Sequence, residues 1–313
     1  VQRWRGRDGV PPGWGRCVVT IGVFDGVHRG HQQLIGHAVE RARELGGLPT
    51  TLITFDPHPS EVLRPGSHPA QLTTLARRAD LVAGLGIDAF WVLPFTTDFA
   101  RVEADEFVHE LLVDRLHASA VVVGKNFTYG YRAAGDVPEL VRLGQRFGFE
   151  AVGLDLVEDG DRGRTVTYSS TYIRSCIAAG DVEAAADALG RPHRVEGVVV
   201  KGDQRGRDLG YPTANVAATA HAAIPADGVY AGWFIRDGEK LPTAVSVGTN
   251  PTFSGQQRTV EAFVLDHTED FYGQRVGVEF VARVRGQERF DSVEELITAM
   301  DGDVANTRKL LGI

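Results

Sequence analysis

Two histidines stand one helical turn apart in Asp25-Gly26-Val27-His28-Arg29-Gly30-His31, between an apolar β-branched run and a helical period. A strand-to-helix turn of this kind presents both imidazoles at a helix N-terminus, which favours an anion. Gly26 and Gly30 let the backbone approach a ligand closely. Imidazoles and free N–H groups suit a nucleotide's phosphates, where charge builds as pyrophosphate departs. Two plainer readings stay open: a satisfied polar turn, or half a metal site, although no third and fourth ligand follows at plausible spacing. Three further polar clusters follow apolar runs: Phe55-Asp56-Pro57-His58-Pro59, Gly124-Lys125-Asn126-Phe127-Thr128-Tyr129-Gly130 with Gly135-Asp136 beyond it, and Ser169-Ser170-Thr171-Tyr172-Ile173-Arg174. Each also admits a structural role. The first could be a proline turn with Asp56 at the surface, and Ser170 or Thr171 could cap the helix that carries Arg174.

The second half holds a different constellation, Lys201-Gly202-Asp203-Gln204-Arg205-Gly206-Arg207-Asp208-Leu209-Gly210-Tyr211-Pro212-Thr213-Ala214-Asn215. No GxxxxGK[ST] loop occurs anywhere in the chain. Glycine-freed N–H groups can nonetheless cradle phosphates, and Thr and Asn oxygens can ligate magnesium. A long polar hairpin loop would have the same composition. Downstream, Thr259-Val260-Glu261-Ala262-Phe263-Val264-Leu265 alternates with period two, which puts Glu261 on the face of Phe263 and Leu265. A carboxylate on an inward, apolar face needs a partner or a task. It could take the proton of an attacking hydroxyl, or it could be a structural carboxylate paired with an arginine such as Arg258.

The elements that must position these groups differ between the halves. Candidate strands Cys17–Phe24, Thr50–Phe55, Phe90–Pro94, Ala120–Gly124 and Ala151–Val157 alternate with helical periods over His31–Leu45, Gln71–Leu85, Ala104–Leu116 and Val137–Phe147. That order predicts a parallel sheet covered by helices, with ligands beyond the carboxyl ends of its strands. A short helix capped by Asp181 and ended by Gly190 follows, and Arg191-Pro192-His193-Arg194 reads as a linker. Strands then come without helices between them: Val195–Val200, Gly228–Ile235, Ala244–Gly248, Thr259–Asp266 and Val276–Val284. They predict an antiparallel barrel or sandwich, with Asp291–Leu311 as a terminal helix. The domain boundary is expected near residue 188, giving domains 1–187 and 188–313.

Composition narrows the classes. The 313 residues are 43% hydrophobic, which excludes a disordered chain, and two domains are the prior at this length. The net charge is −8 and neither half is basic, so no nucleic-acid partner is expected. Cys17 and Cys176, far apart and outside any CxxC, read as reduced thiols. The N-terminal VQRWRGRDGVPPGW lacks an apolar h-region, and no run nears the roughly 20 apolar residues of a membrane helix. A cytoplasmic chain without a membrane partner is the expectation, and a homo-oligomer stays open.

The segment GVFDGVHRGH resembles the HxGH signature of the nucleotidyltransferase superfamily. With the three clusters that follow, it is similar to the adenylyltransferase module of the bacterial bifunctional riboflavin kinase/FMN adenylyltransferase family. Pro212-Thr213-Ala214-Asn215, Gly248-Thr249-Asn250-Pro251-Thr252-Phe253, Val260-Glu261-Ala262 and Asp270-Phe271-Tyr272-Gly273 resemble that family's kinase module. The resemblance implies a Rossmann-like nucleotidyltransferase domain followed by a six-stranded Greek-key β-barrel. It implies synthesis of FMN from riboflavin and ATP in the barrel, and of FAD from FMN and a second ATP in the first module. His28 and His31 would then hold ATP phosphates, with Gly22, Phe24, Asp25, Gly30, Asp56 and His58 lining that site. Asn126 would contact the nucleotide, with Lys125 beside it, and Ser170, Thr171 and Arg174 would grip the phosphate chain. In the kinase, Lys201, Gly202, Gly210, Tyr211 and Pro212 would border the nucleotide. Thr213 and Asn215 would bind Mg²⁺ and ATP, and Glu261 would activate the ribityl 5′-hydroxyl.

Overall fold

A computed structural model describes residues 1–155, 158–159, 166–202, 210–252 and 255–313. Its contacts divide the chain into two units, Val1–Pro69 with Leu75–Tyr168, and Ala70–Thr74 with Ser169–Ile313.

In the first unit, strands β1 (Gln2–Arg5), β2 (Cys17–Ile21), β3 (Thr50–Asp56), β4 (Ala89–Pro94), β5 (Ala118–Gly124) and β6 (Glu150–Leu154) form one sheet in the order β1-β4-β3-β2-β5-β6. Every neighbouring pair is parallel. Parallel strands need crossovers, supplied here by α1 (Arg29–Glu44), α2 (Pro59–Leu63), α3 (Leu75–Gly84), α4 (Ala104–Phe107) with the π-wound Val108–Arg115, and α5 (Val137–Phe147). A short ribbon, β7 (Glu158–Asp159) with β8 (Val166–Thr167), completes the unit.

Successive residues of β4 enter opposite cores. Trp91 and Leu93 pack with Leu111, Val121 and Leu140, while Phe90 and Val92 pack with Ile35, Leu52 and Val82. Both faces are therefore dry, and each such side chain contributes roughly 1.5–3 kcal/mol by burial. The chain winds from β2 through β3 to β4, then returns to place β5 on the other side of β2. The switch point thus lies between the ends of β2 and β5, the strands that lead to His28 and Asn126. Strand β1 was not anticipated. Gln2, Arg3 and Arg5 are exposed and give the segment a polar look, but Trp4 is buried edge-on against Trp14 with ring centroids 4.6 Å apart.

The second unit opens with α6 (Ser170–Ala179) and α7 (Val182–Leu189). Ser169, not Ser170 or Thr171, caps α6 by accepting from Tyr172 N at 3.2 Å. Asp181 accepts from Ala184 N at 2.9 Å and Gly190 turns left-handed after α7, both as expected. Six strands follow: β9 (His193–Val200), β10 (Ala214–Ala218), β11 (Gly228–Arg236), β12 (Glu239–Thr252), β13 (Gly255–Val264) and β14 (Arg275–Arg285), then α8 (Val293–Leu311). They close into an antiparallel barrel in the order β10-β13-β12-β11-β14-β9. Strand β10 lies beside β13 rather than β11, which makes the β10–β13 connection a Greek key.

Two expectations change. His193 and Arg194 are not linker but the start of β9, with His193 buried and its Nε2 2.7 Å from the Ala223 carbonyl. Strand β10, hidden inside the polar PTAN stretch, was not foreseen. Residues 203–209, the middle of the expected phosphate-cradling loop, lie outside the described residues, as do Val157 and Phe253.

Candidate functional sites

The first site is built by a tight turn after β2. Phe24, Gly26 and Val27 have φ of 53°, 85° and 42°, so three of four consecutive residues are left-handed. Two of them are not glycine, a conformation that persists only where the surroundings impose it. Gly22 lies under the Phe24 ring, where an added Cβ would stand 3.2 Å from the ring. His28 then caps α1, its Nδ1 accepting from His31 N at 3.4 Å. A neutral ring that accepts at Nδ1 carries its proton on Nε2, a donor for an anionic oxygen. The His28 and His31 rings stack at 3.6 Å, and His31 also meets the Phe24 ring at 5.0 Å. Burial, then neighbouring His28, then the Arg78 guanidinium hold His31 well below the ordinary imidazole pKa. His31 is therefore neutral near pH 7, and its Nδ1 is buried with no hydrogen-bond partner among the described residues. Gly30 makes room: a Cβ there would stand 3.3 Å from the His28 ring.

Beneath the turn, Asp25 and Arg78 are both nearly fully buried and pair at 3.2 Å. Arg78 comes from α3, and the sequence reading missed it. Asn126 follows β5, its Oδ1 so close that a Cβ on Gly124 would stand 3.2 Å away. Lys125 reaches the exposed Asp155 at 2.9 Å. Asp56 accepts from Arg5 of β1 at 2.6 Å, and His58 caps α2 by accepting from Ser60 N at 3.2 Å. Those two motif residues therefore have structural tasks in this structure. Ser170, Thr171 and Arg174 belong to the second unit, where Arg174 Nε donates to the Ala70 carbonyl at 2.6 Å.

The second site is made by strand pairing. Asn215 stands opposite Glu261 of β13 on one side and Val200 of β9 on the other. Thr213 Oγ1 donates to Glu261 Oε2 at 3.2 Å. Glu261 does share a face with Phe263, but it is the outside of the barrel. Val260, Ala262 and Val264 are the residues that enter the barrel core. The expected inward carboxylate is thus an outward one. The aromatic Phe263 misled, because it packs externally against Tyr211 with centroids 5.2 Å apart. Arg258 does not pair with Glu261; its Nε donates to Asp227 at 3.1 Å. Tyr211 donates to Asp301 of α8, and that carboxylate, helped by burial, pushes its phenol up to about 12.

Two cavities meet at Asn215. One, of about 350 Å³, is lined by Pro212, Thr213, Phe271 and Tyr272. The other, of about 470 Å³, is lined by Lys201, Gly202, Arg258 and Glu261. Hard oxygen donors of Thr213 and Asn215, with the Glu261 carboxylate beside them, suit a magnesium ion carried by a nucleotide. Gly202 touches the Asn215 amide, since a Cβ would stand 2.3 Å from Nδ2. Gly202→Ala is expected to displace Asn215 and weaken MgATP binding at this patch about tenfold, which a binding titration checks.

A parallel α/β unit with a histidine pair at its switch point, joined to a Greek-key barrel with a carboxylate beside Thr and Asn, defines a two-domain nucleotide-using transferase. The FAD synthetase family profile matches residues 11–170, and the riboflavin kinase profile matches residues 189–311. The chain belongs to the bifunctional riboflavin kinase/FMN adenylyltransferase family. It is 39% identical to the Pseudomonas fluorescens member over 99% of this chain and 98% of that one. It is 35% identical to the Escherichia coli K12 member over 95% and 93% of the two chains. A solved Streptococcus pneumoniae structure, described as a macrolide-efflux protein, superposes with a TM-score of 0.89 at 31% identity over 98% of this chain and 99% of that one. Among the described residues of the present chain, no helix is long and apolar enough to cross a membrane.

Proposed function

We propose that the two family activities are divided between the two sites described above. In the barrel, Glu261 takes the proton of the riboflavin 5′-hydroxyl as that oxygen attacks the γ-phosphorus of ATP, giving FMN and ADP. Thr213 and Asn215 hold Mg²⁺ and the phosphates, and Lys201, Gly202, Gly210, Tyr211 and Pro212 border the nucleotide. The observation that carries this reading is the 3.2 Å contact of Thr213 with Glu261, opposite Asn215 in the ladder. It fixes a carboxylate beside the groups suited to a metal-bound triphosphate.

In the α/β unit, an FMN phosphate oxygen attacks the α-phosphorus of ATP and pyrophosphate leaves. The nucleophile is already anionic, so the site supplies position and charge neutralisation rather than a strong base. His28 and His31 donate to phosphate oxygens, and Gly22, Phe24, Asp25 and Gly30 shape the turn. Asn126 contacts the nucleotide. Asp56 and His58 remain assigned to this site through their motif, and Ser170, Thr171 and Arg174 to phosphate binding by their hydroxyl and guanidinium chemistry. The boundary between the modules is placed near residue 188, so that residues 1–187 transfer adenylyl groups and 188–313 phosphorylate; the kinase profile, which begins at 189, supports it, while the contacts of the fold group Ser169 onward with the barrel. The cytoplasm, with its ATP and Mg²⁺, is the proposed location.

Riboflavin incubated with ATP and Mg²⁺ is expected to yield FMN and then FAD, resolved by chromatography. Tight flavin binding without product would defeat the assignment.

A further inference from the structure

We propose that Arg78 is a positioning residue for adenylyl transfer, holding the left-handed turn that carries His28 and His31. The inference rests on the reading that those histidines serve this reaction. Arg78 lies on α3, some fifty residues beyond the turn, and is 4% exposed. The contacts of its guanidinium there include Nη2 with Asp25 Oδ1 at 3.2 Å, Nη1 with the Val23 carbonyl at 2.8 Å, and Nη1 with Thr54 Oγ1 at 3.4 Å. Thr54 Oγ1 itself donates to the Val23 carbonyl at 2.9 Å. The fork therefore spans both ends of the segment at which the chain leaves β2 and becomes left-handed.

From Asp25 the chain needs only Gly26 and Val27 to reach the His28 cap. Val27 N donates to the Phe24 carbonyl at 3.1 Å, and Gln32 Nε2 donates to the Val27 carbonyl at 2.8 Å. The turn is thus closed by its own bonds and tied to the sheet through Arg78. A left-handed Phe and a left-handed Val do not hold themselves; a buried, bidentate cation can hold them. A shift of the turn would carry both stacked imidazoles with it. Misplacement of catalytic groups by about 1 Å can cost 10²-fold in rate.

The full chain carries its own control, because riboflavin phosphorylation uses the other site. Arg78→Met is expected to lower kcat for FMN-to-FAD conversion about 10²-fold, with KM for ATP within about threefold and kinase kcat unchanged. Arg78→Lys keeps a buried cation but cannot reach Asp25 and Val23 together, so a loss of about tenfold is expected. If Arg78→Met does not fold, the lysine variant decides the matter. Parent adenylyl transfer in a folded variant, or a loss seen only in KM, would overturn the proposal. His28→Ala is measured alongside. Activity retained there would bring down the underlying reading and this inference with it, whereas activity retained in Arg78→Met beside an inactive His28→Ala brings down the inference alone.

Discussion

Glu261→Gln is expected to stop FMN formation from riboflavin, by 10² to 10⁴ in kcat, and to leave the conversion of supplied FMN to FAD at the parent rate. The substitution keeps the size of the side chain and an oxygen that can accept from Thr213, now 3.2 Å away. It removes only the capacity to take a proton. Glu261 is half-buried on the outer surface of β13, so folding stability should change by less than about 0.5 kcal/mol. Loss of activity with an unchanged unfolding transition would therefore be chemical in origin. The check is to follow both flavin products by chromatography, starting once from riboflavin and once from FMN. Parent-rate FMN formation by the variant would remove Glu261 from the mechanism.

The converse is expected of His28→Ala: FMN accumulates from riboflavin and FAD formation falls by about 10² to 10³. Two contributions must be separated. The side chain caps α1, and losing a cap costs on the order of 1 kcal/mol, which a stable domain tolerates. The larger effect is loss of an Nε2 donor from a site in which His31 is held neutral by burial, His28 and Arg78. Position, not positive charge, is what His31 offers there. His28→Asn keeps a capping acceptor and is expected to recover stability without recovering FAD formation. A variant that loses both activities while folded would defeat the division into two sites.

How much of this was legible beforehand depends on whether the signal is local. The buried strands of the sheet announced themselves as β-branched runs, and α5 was expected with the bounds it has, Val137–Phe147. Strand β1 was hidden by its arginines, because an edge strand needs only one buried side chain, here Trp4. Strand β10 was hidden by a motif: Thr213-Ala214-Asn215 reads as a ligand loop, yet Ala214–Ala218 is a strand of the barrel. The face of Glu261 was misjudged because period two tells which residues share a side and not which side is dry. The linear motifs around His28 and Asn215 were visible as residues at fixed spacing. Arg78 was not, since an arginine beside Arg77 on a helix has the look of a solvated face until its partners are known.

On the proposed role of Glu261, its pairing with Asn215 makes kinase turnover a gauge of strand registration. The two residues are 46 positions apart and meet only when β10 is laid against β13 in a single alignment. A slip of one residue would exchange the faces of the strand, turning the carboxylate into the dry interior and presenting Val260 or Ala262 in its place. The proposed base would then be gone from its place beside Thr213. During refolding, the recovery of FMN synthesis is therefore expected to time the closing of the Greek key, a step that a spectroscopic measure of strand content alone does not distinguish from a misaligned sheet.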